Sequence, residues 1–220
     1  MKTLQTNRLE TPRARCMRPA ALGLFAAAAT LVSLLAARAD EPAQATHMSW
    51  DIIHVTFLPT ATVLDPGGLA SAKAADGSQI TLTGSGTWLS IPAEAEPQRV
   101  TGGGTWATLD KSGVSNGSGT YTVTGVVSSD VVPGSNLPPP PAFIDNIGNN
   151  EDSRGGLIVL RILYSDGEAG VLSVSCHGPV HVPDTVFEGI TATKGIVGYV
   201  DRGKPAPGVD ANRTNFHVLP

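Results

Sequence analysis

From residue 50 onward, short runs of Thr, Val, Ile and aromatic residues alternate with clusters of Gly, Pro, Asn and Asp, and almost no stretch sustains a helical period. A period of two bounded by turn residues marks half-buried strands. It predicts strands over 50–58, 79–91, 100–109, 119–128, 156–164, 170–177 and 186–200, the last broken near Lys194-Gly195. Residues 70–75 read as one helical turn. The fold class is therefore all-β.

One pattern recurs within the predicted strands: GSGTW at 84–88, GGGTW at 102–106 and GSGTY at 117–121. Alternation places Gly84, Gly86 and Trp88 on one face, and likewise Gly102, Gly104 and Trp106, and Gly117, Gly119 and Tyr121. Glycine weakens a flat strand, so two glycines beside a large ring imply a sharp bend or a neighbouring ring lying over bare backbone. Adjacent strands built this way curl, and a single antiparallel β-barrel of seven or eight strands is the expected product. A two-sheet β-sandwich is the alternative.

The segment 156–177 is the clearest hairpin, and its turn admits two registers. A two-residue Asp166-Gly167 loop mixes Ile158, Leu160 and Ile162 with Ser173 and Ser175. A three-residue Ser165-Asp166-Gly167 loop with a left-handed Gly167 instead joins Ile158, Leu160, Ile162 and Tyr164 to Leu172, Val174 and Cys176. The second is expected, because a slip of one residue forfeits several buried aliphatic side chains worth about 1.5–3 kcal/mol each. The opposite face then carries Arg161, Ser173, Ser175 and His177 among Leu157, Val159, Leu163 and Val171. In a barrel that mixed face either lines a lumen, with Arg161 and His177 as polar anchors of an apolar pocket, or forms an outer wall on which Arg161 snorkels.

Before this β-rich region, Lys2, Arg8, Arg13, Arg15 and Arg18 precede an apolar run from Ala20 to Ala37, and Ala37-Arg38-Ala39 supplies a small-x-small cleavage pattern. Residues 1–39 are thus expected to be a cleaved export signal, giving a secreted or periplasmic protein with no membrane span after cleavage. An uncleaved anchor is the alternative reading. Residues 40–200 form the expected barrel domain, interrupted by a Pro-rich loop at 133–155, and 201–220 read as a C-terminal tail whose end docks on the surface. A loop of that length in a compact domain implies a lid, a binding loop or disorder, and Phe143 and Ile144 are placed to fold back over a barrel mouth.

Charge narrows the partners. The whole chain has a formal charge of −4, and the signal segment contains six of the 15 basic residues but one of the 19 acidic ones. The remainder is more acidic still, which argues against nucleic acid. Cys176 is left as the lone cysteine and reads as a small buried residue.

Catalytic signatures are missing: no nucleophile elbow occurs, and Cys176 and His177 point to opposite faces of one strand, so they form no thiolate pair. His177, His181, Asp184 and Glu188 are suitable metal ligands, but Pro179 and Pro183 forbid the helix that would align the imidazoles, and a solvated loop is expected instead. No metal or cofactor is assigned. Trp88, Trp106 and Tyr121 are either a stacking platform for a ligand or core. The Gly-Thr-Trp element resembles the strand opening of lipocalin-type and avidin-type barrels, which implies ligand binding; the resemblance covers only the three pentapeptides and carries over no site residue. The expected function is non-enzymatic binding of a small or apolar ligand within the barrel, with Arg161, Ser173, Ser175, His177, Trp88, Trp106 and Tyr121 as candidate contacts. An enzyme (cyclase, isomerase or hydrolase) using a polar cluster in the barrel, and an envelope structural or interaction protein, are the alternatives.

Overall fold

A computed structural model describes residues 46–90, 100–178, 180–202 and 212–220. The expected export signal, residues 1–39, lies outside the described residues. In chain order the strands are β1 Thr46–Phe57, β2 Thr62–Pro66, β3 Ala70–Ala74, β4 Gln79–Leu82, β5 Ser85–Ser90, β6 Val100–Leu109, β7 Ser115–Val131, β8 Phe143–Asp145, β9 Ser153–Arg154, β10 Gly156–Tyr164, β11 Ala169–Cys176, β12 Gly189–Lys194, β13 Val197–Asp201 and β14 Arg213–Val218.

Eight of these close a ring. The pairings run β4-β3-β13-β12-β11-β10-β7-β6, and β6 returns to β4, so every neighbour in the circle is antiparallel and no edge is left open within it. The barrel is therefore the observed architecture and the sandwich is not. Outside the ring, β5 extends β4 along β6 and hands the sheet to β1 and then β14.

The repeated glycines serve one of the expected purposes, ring cover, and a further one, close approach of neighbouring strands. The Trp50 ring lies over the bare backbone of the first two repeats: a Cβ built on Gly84, Gly86 or Gly102 would stand 3.1, 2.7 or 3.0 Å from its atoms. Trp106 covers the third repeat in the same way, 3.0 Å from a Cβ on Gly117 or Gly119. The strands also press together, since a Cβ on Gly86 would meet Thr101 O at 2.2 Å and one on Gly104 would meet Thr83 O at 2.1 Å. These positions tolerate no side chain because another group already fills the space.

Trp88, Trp106 and Tyr121 point inward and are buried, with Trp106 packed edge-on against Tyr164. Side chains from all eight ring strands meet in one continuous core that also takes in Met48, Trp50, Ile52 and Phe216. The three rings are core, and their polar ends find backbone acceptors where these are in reach: Trp106 Nε1 donates to Thr120 O and Tyr121 Oη to Thr83 O.

The β10–β11 hairpin has the expected register. Ile158 faces Val174 and Leu160 faces Leu172. Tyr164 N–H donates to Glu168 O across a Ser165–Gly167 loop, and Gly167 has φ of 89°.

Three expectations are corrected. Residues 70–74 are strand β3, not a helical turn, since Ala70, Ala72 and Ala74 are buried against the core and pairing to β4 and β13 overrides the local helical preference of alanine. The predicted strand 79–91 is two strands, because the chain changes partner from β3 to β1 near Thr83-Gly84. The end of the expected tail is β14, fully integrated beside β1, with Phe216 opposite Trp50.

Candidate ligand cleft on the barrel flank

Alternation along β1 sends Met48, Trp50 and Ile52 inward and Ile53 and Val55 outward, yet the outward pair is also buried. Their cover comes from the hairpin β1–β2 and from the Pro-rich segment. That segment is built rather than extended over a barrel mouth: β8 pairs in parallel with β2, β9 pairs with β14, and Ser135 Oγ accepts from Gly155 N–H across the base of the loop. Ile53, Val55, Leu64 and Leu137 form a second apolar cluster joined by Phe143 and Ile147. Ile144 remains exposed.

Between this layer and the barrel wall is a cleft of about 190 Å³. Ile53, Val55, Leu64, Leu137 and Phe143 form its apolar side, and Cys176, Glu188, Arg213, Thr214 and Asn215 its polar end. The cleft sits beside the seam between the barrel strand β11 and the outer strand β14, which share no ladder and are joined by Thr214 Oγ1 donating to Ser175 O at 2.6 Å.

Glu188 clamps that seam from the loop before β12. Its Oε2 accepts from His177 N–H at 2.7 Å and its Oε1 from Thr214 N–H at 2.8 Å, so one carboxylate bridges β11 and β14. Burial pushes its pKa up, opposed by those two N–H donors and by the nearby Arg213 and His177. Burial also pushes the Cys176 thiol well up, and the Glu188 charge adds to this, so Cys176 is a small core residue rather than a thiolate.

A second polar cluster lies deeper under the loop. Asp145 of β8 accepts from His217 and Asn215 of β14 and from the backbone N–H groups of Ile147 and Gly148. Ser153, a hydroxyl in this cluster, donates to Asn215 Oδ1 and not to His217, so the Asp–His pair does not activate Ser153 as a nucleophile.

The sequence candidates separate in space. Arg161 is exposed on the outer wall, 3.6 Å from a Cβ built on Gly125 of β7. Ser173 alternates outward beside it on the same sheet face. Ser175 is buried and donates to Phe187 O at 2.7 Å. His177 contributes its backbone N–H to Glu188, while its Nδ1 lies 2.9 Å from Gly178 O. Trp88, Trp106 and Tyr121 are on the other side of the wall, in the core. These seven residues therefore form no common site.

Sequence reasoning missed Arg213, Thr214 and the apolar side of the cleft. The available signal was the run Ile52-Ile53 with Val55, which breaks strict alternation and marks a strand buried on both faces. His181 and Asp184 are exposed, and among the described residues no group of three or more His, Cys, Asp or Glu is placed to hold a metal ion. Among those residues, too, no helix is long and apolar enough to cross a membrane. No family model matches the chain, and no curated protein or solved structure matches it significantly.

Proposed function

We propose that this is an exported, non-enzymatic binding protein for a small, largely apolar molecule, held in the flank cleft rather than in the barrel. The observation that carries the reading is the cleft itself, where five apolar side chains face a short polar end with a half-buried carboxylate and an arginine. Such a combination of apolar walls and a few convergent polar groups is the usual composition of a small-molecule site. The barrel interior supports it less well, because inward side chains from every ring strand meet there in one core.

Size restricts the ligand. At about 190 Å³ the cleft is smaller than the usual pocket for a drug-sized molecule, so it suits a small ligand. The test is methyl NMR of the chain labelled at Ile, Leu and Val, titrated with benzyl alcohol. Saturable shifts confined to Ile53, Val55, Leu64 and Leu137, abolished by Leu137→Trp, are expected. Shifts spread over the exposed surface, or none at millimolar ligand, would refute the reading.

Export rests on the charged-then-apolar pattern of residues 1–39. The protein recovered from the extracytoplasmic fraction is expected to begin at Asp40; a chain still carrying Met1 would count against it.

A further inference from the structure

We infer that the flank cleft selects a small carboxylic acid in its ionised form, with Arg213 as the residue that reads the carboxylate; this rests on the cleft being a ligand site. Arg213 opens β14 directly opposite Ile53 of β1. Residues directly opposite in an antiparallel pair share a face, so Arg213 projects to the same side as the apolar cluster of Ile53 and Val55, and it lines the cleft.

The other polar groups at that end are already engaged. Both Glu188 oxygens accept backbone N–H groups, the Thr214 hydroxyl donates to Ser175 O, Ser153 Oγ donates to Asn215 Oδ1, and Asn215 Nδ2 donates to Asp145. Arg213 differs: among the described residues its half-buried guanidinium has neither a hydrogen bond nor an ion pair, and Glu188 reaches it only through space. A guanidinium offers five N–H donors in a planar fork that matches a carboxylate, and this half-buried one lines the cleft with its fork open to a ligand.

Apolar walls and an idle fork together define the ligand class. The hydrocarbon of a short-chain or single-ring acid covers Val55, Leu64 and Phe143, and its carboxylate meets Arg213. Inorganic phosphate would satisfy the fork but leave the apolar side bare, so it is a poorer ligand. Glu188 does not compete for the fork, because its oxygens face the seam between β11 and β14.

The test compares three probes of matched chain length, hexanoate, hexan-1-ol and hexylammonium, on the methyl-labelled full chain. Hexanoate is expected to shift the Ile53, Val55, Leu64 and Leu137 methyls at concentrations roughly ten- to hundred-fold below hexan-1-ol, the ratio that charge-assisted hydrogen bonds confer. Arg213→Gln should erase that ratio while leaving hexan-1-ol binding intact, and Arg213→Lys should retain part of it. Equal affinity for hexanoate and hexan-1-ol would overturn the inference and leave the cleft reading standing. Tightest binding of hexylammonium would overturn it as well, by giving Glu188 the deciding role. If no probe moves the cleft methyls, both the inference and the reading beneath it fail.

Discussion

His217 Nε2 lies 2.8 Å from Asp145 Oδ2, and both side chains are buried, at 3% and 0% exposure. The bond ties the last strand of the sheet to the Pro-rich segment across 72 positions of sequence. Phe143, two residues before Asp145 on the same short strand, lines the cleft. The pair is thus the pin that holds one wall of the cleft against the barrel.

Asp145→Asn should remove that pin. Burial raises the Asp145 pKa, but the His217 hydrogen bond, the Ile147 N–H, the His217 charge and the Gly148 N–H together hold it below the usual carboxylate range. Folding lowers this pKa, so the stabilisation is present above about pH 4 and is lost as pH falls through the folded value. Breaking a buried pair from one side costs about 3 kcal/mol. Urea denaturation at pH 7 is expected to show that loss, shrinking toward zero in acid. Amide exchange at Ile147 and Gly148 should accelerate. An unchanged midpoint at pH 7 would disprove the pin.

Asp51 is the opposite case. It faces the same cluster from β1, and burial raises its pKa to about 6, only partly offset by the His217 charge and the Ser49 hydroxyl, while Asp145 raises it further. The folded state therefore holds its proton more tightly than the unfolded chain does, and stability declines as pH rises from about 4 to 6. Asp51→Asn should be neutral at pH 4 and stabilise the protein at pH 7, by about 1–2 kcal/mol after allowing for solvent screening. Thermal melts of both chains at the two pH values decide it; a stabilisation already complete at pH 4 would be inconsistent.

The glycine repeats make a paired prediction. In Gly86→Ala the new Cβ would stand 2.2 Å from Thr101 O and 2.7 Å from both Gly102 Cα and Trp50 Nε1, so backbone must move. A loss of about 3 kcal/mol or more is expected. At Gly125, where the nearest atoms are Arg161 Nη1 at 3.6 Å and Cδ at 3.9 Å, Gly125→Ala should be neutral or slightly stabilising. Equal effects at the two sites in guanidinium denaturation would undo the close-approach explanation.

At the far end of the barrel Lys194 bonds Asp166 and Glu168 while its ammonium lies 4.5 Å from the Trp106 ring centre and 5.2 Å from that of Tyr164. Lys194→Met keeps the stem and deletes the charge. The ring contacts predict a loss of about 1 kcal/mol, and the solvent-facing carboxylates add little. Removing the carboxylates instead, as Asp166→Asn with Glu168→Gln, should cost less than Lys194→Met in the same denaturation assay; a larger cost would assign the stabilisation to the ion pairs.

Local patterning was enough to reveal most of the longer strands, the face on which each Gly-Gly-aromatic repeat lies, and the β10–β11 register, but not β2, β3, β8, β9 or β14. Alternation, turn residues and the need to join Ile158 and Leu160 with Leu172 and Val174 all operate within about twenty residues. The barrel was expected from the Gly-aromatic repeats and is the observed architecture, although the first repeat lies on β5, outside the closed ring. What those rules do not contain is the identity of distant partners. Nothing near Thr83-Gly84 states that the chain leaves β3 for β1, nothing near Phe216 states that it will face Trp50, and the Arg161-to-His177 face reads the same as lumen or as outer wall. The cleft depends on the same distant encounters: Arg213 reaches Ile53 and Asp145 reaches His217 only after the sheet has closed and the Pro-rich segment has folded onto it. Pairing energy between strands is nearly independent of sequence separation, so only the assembled tertiary structure decides which buried polar groups meet and which guanidinium is left idle.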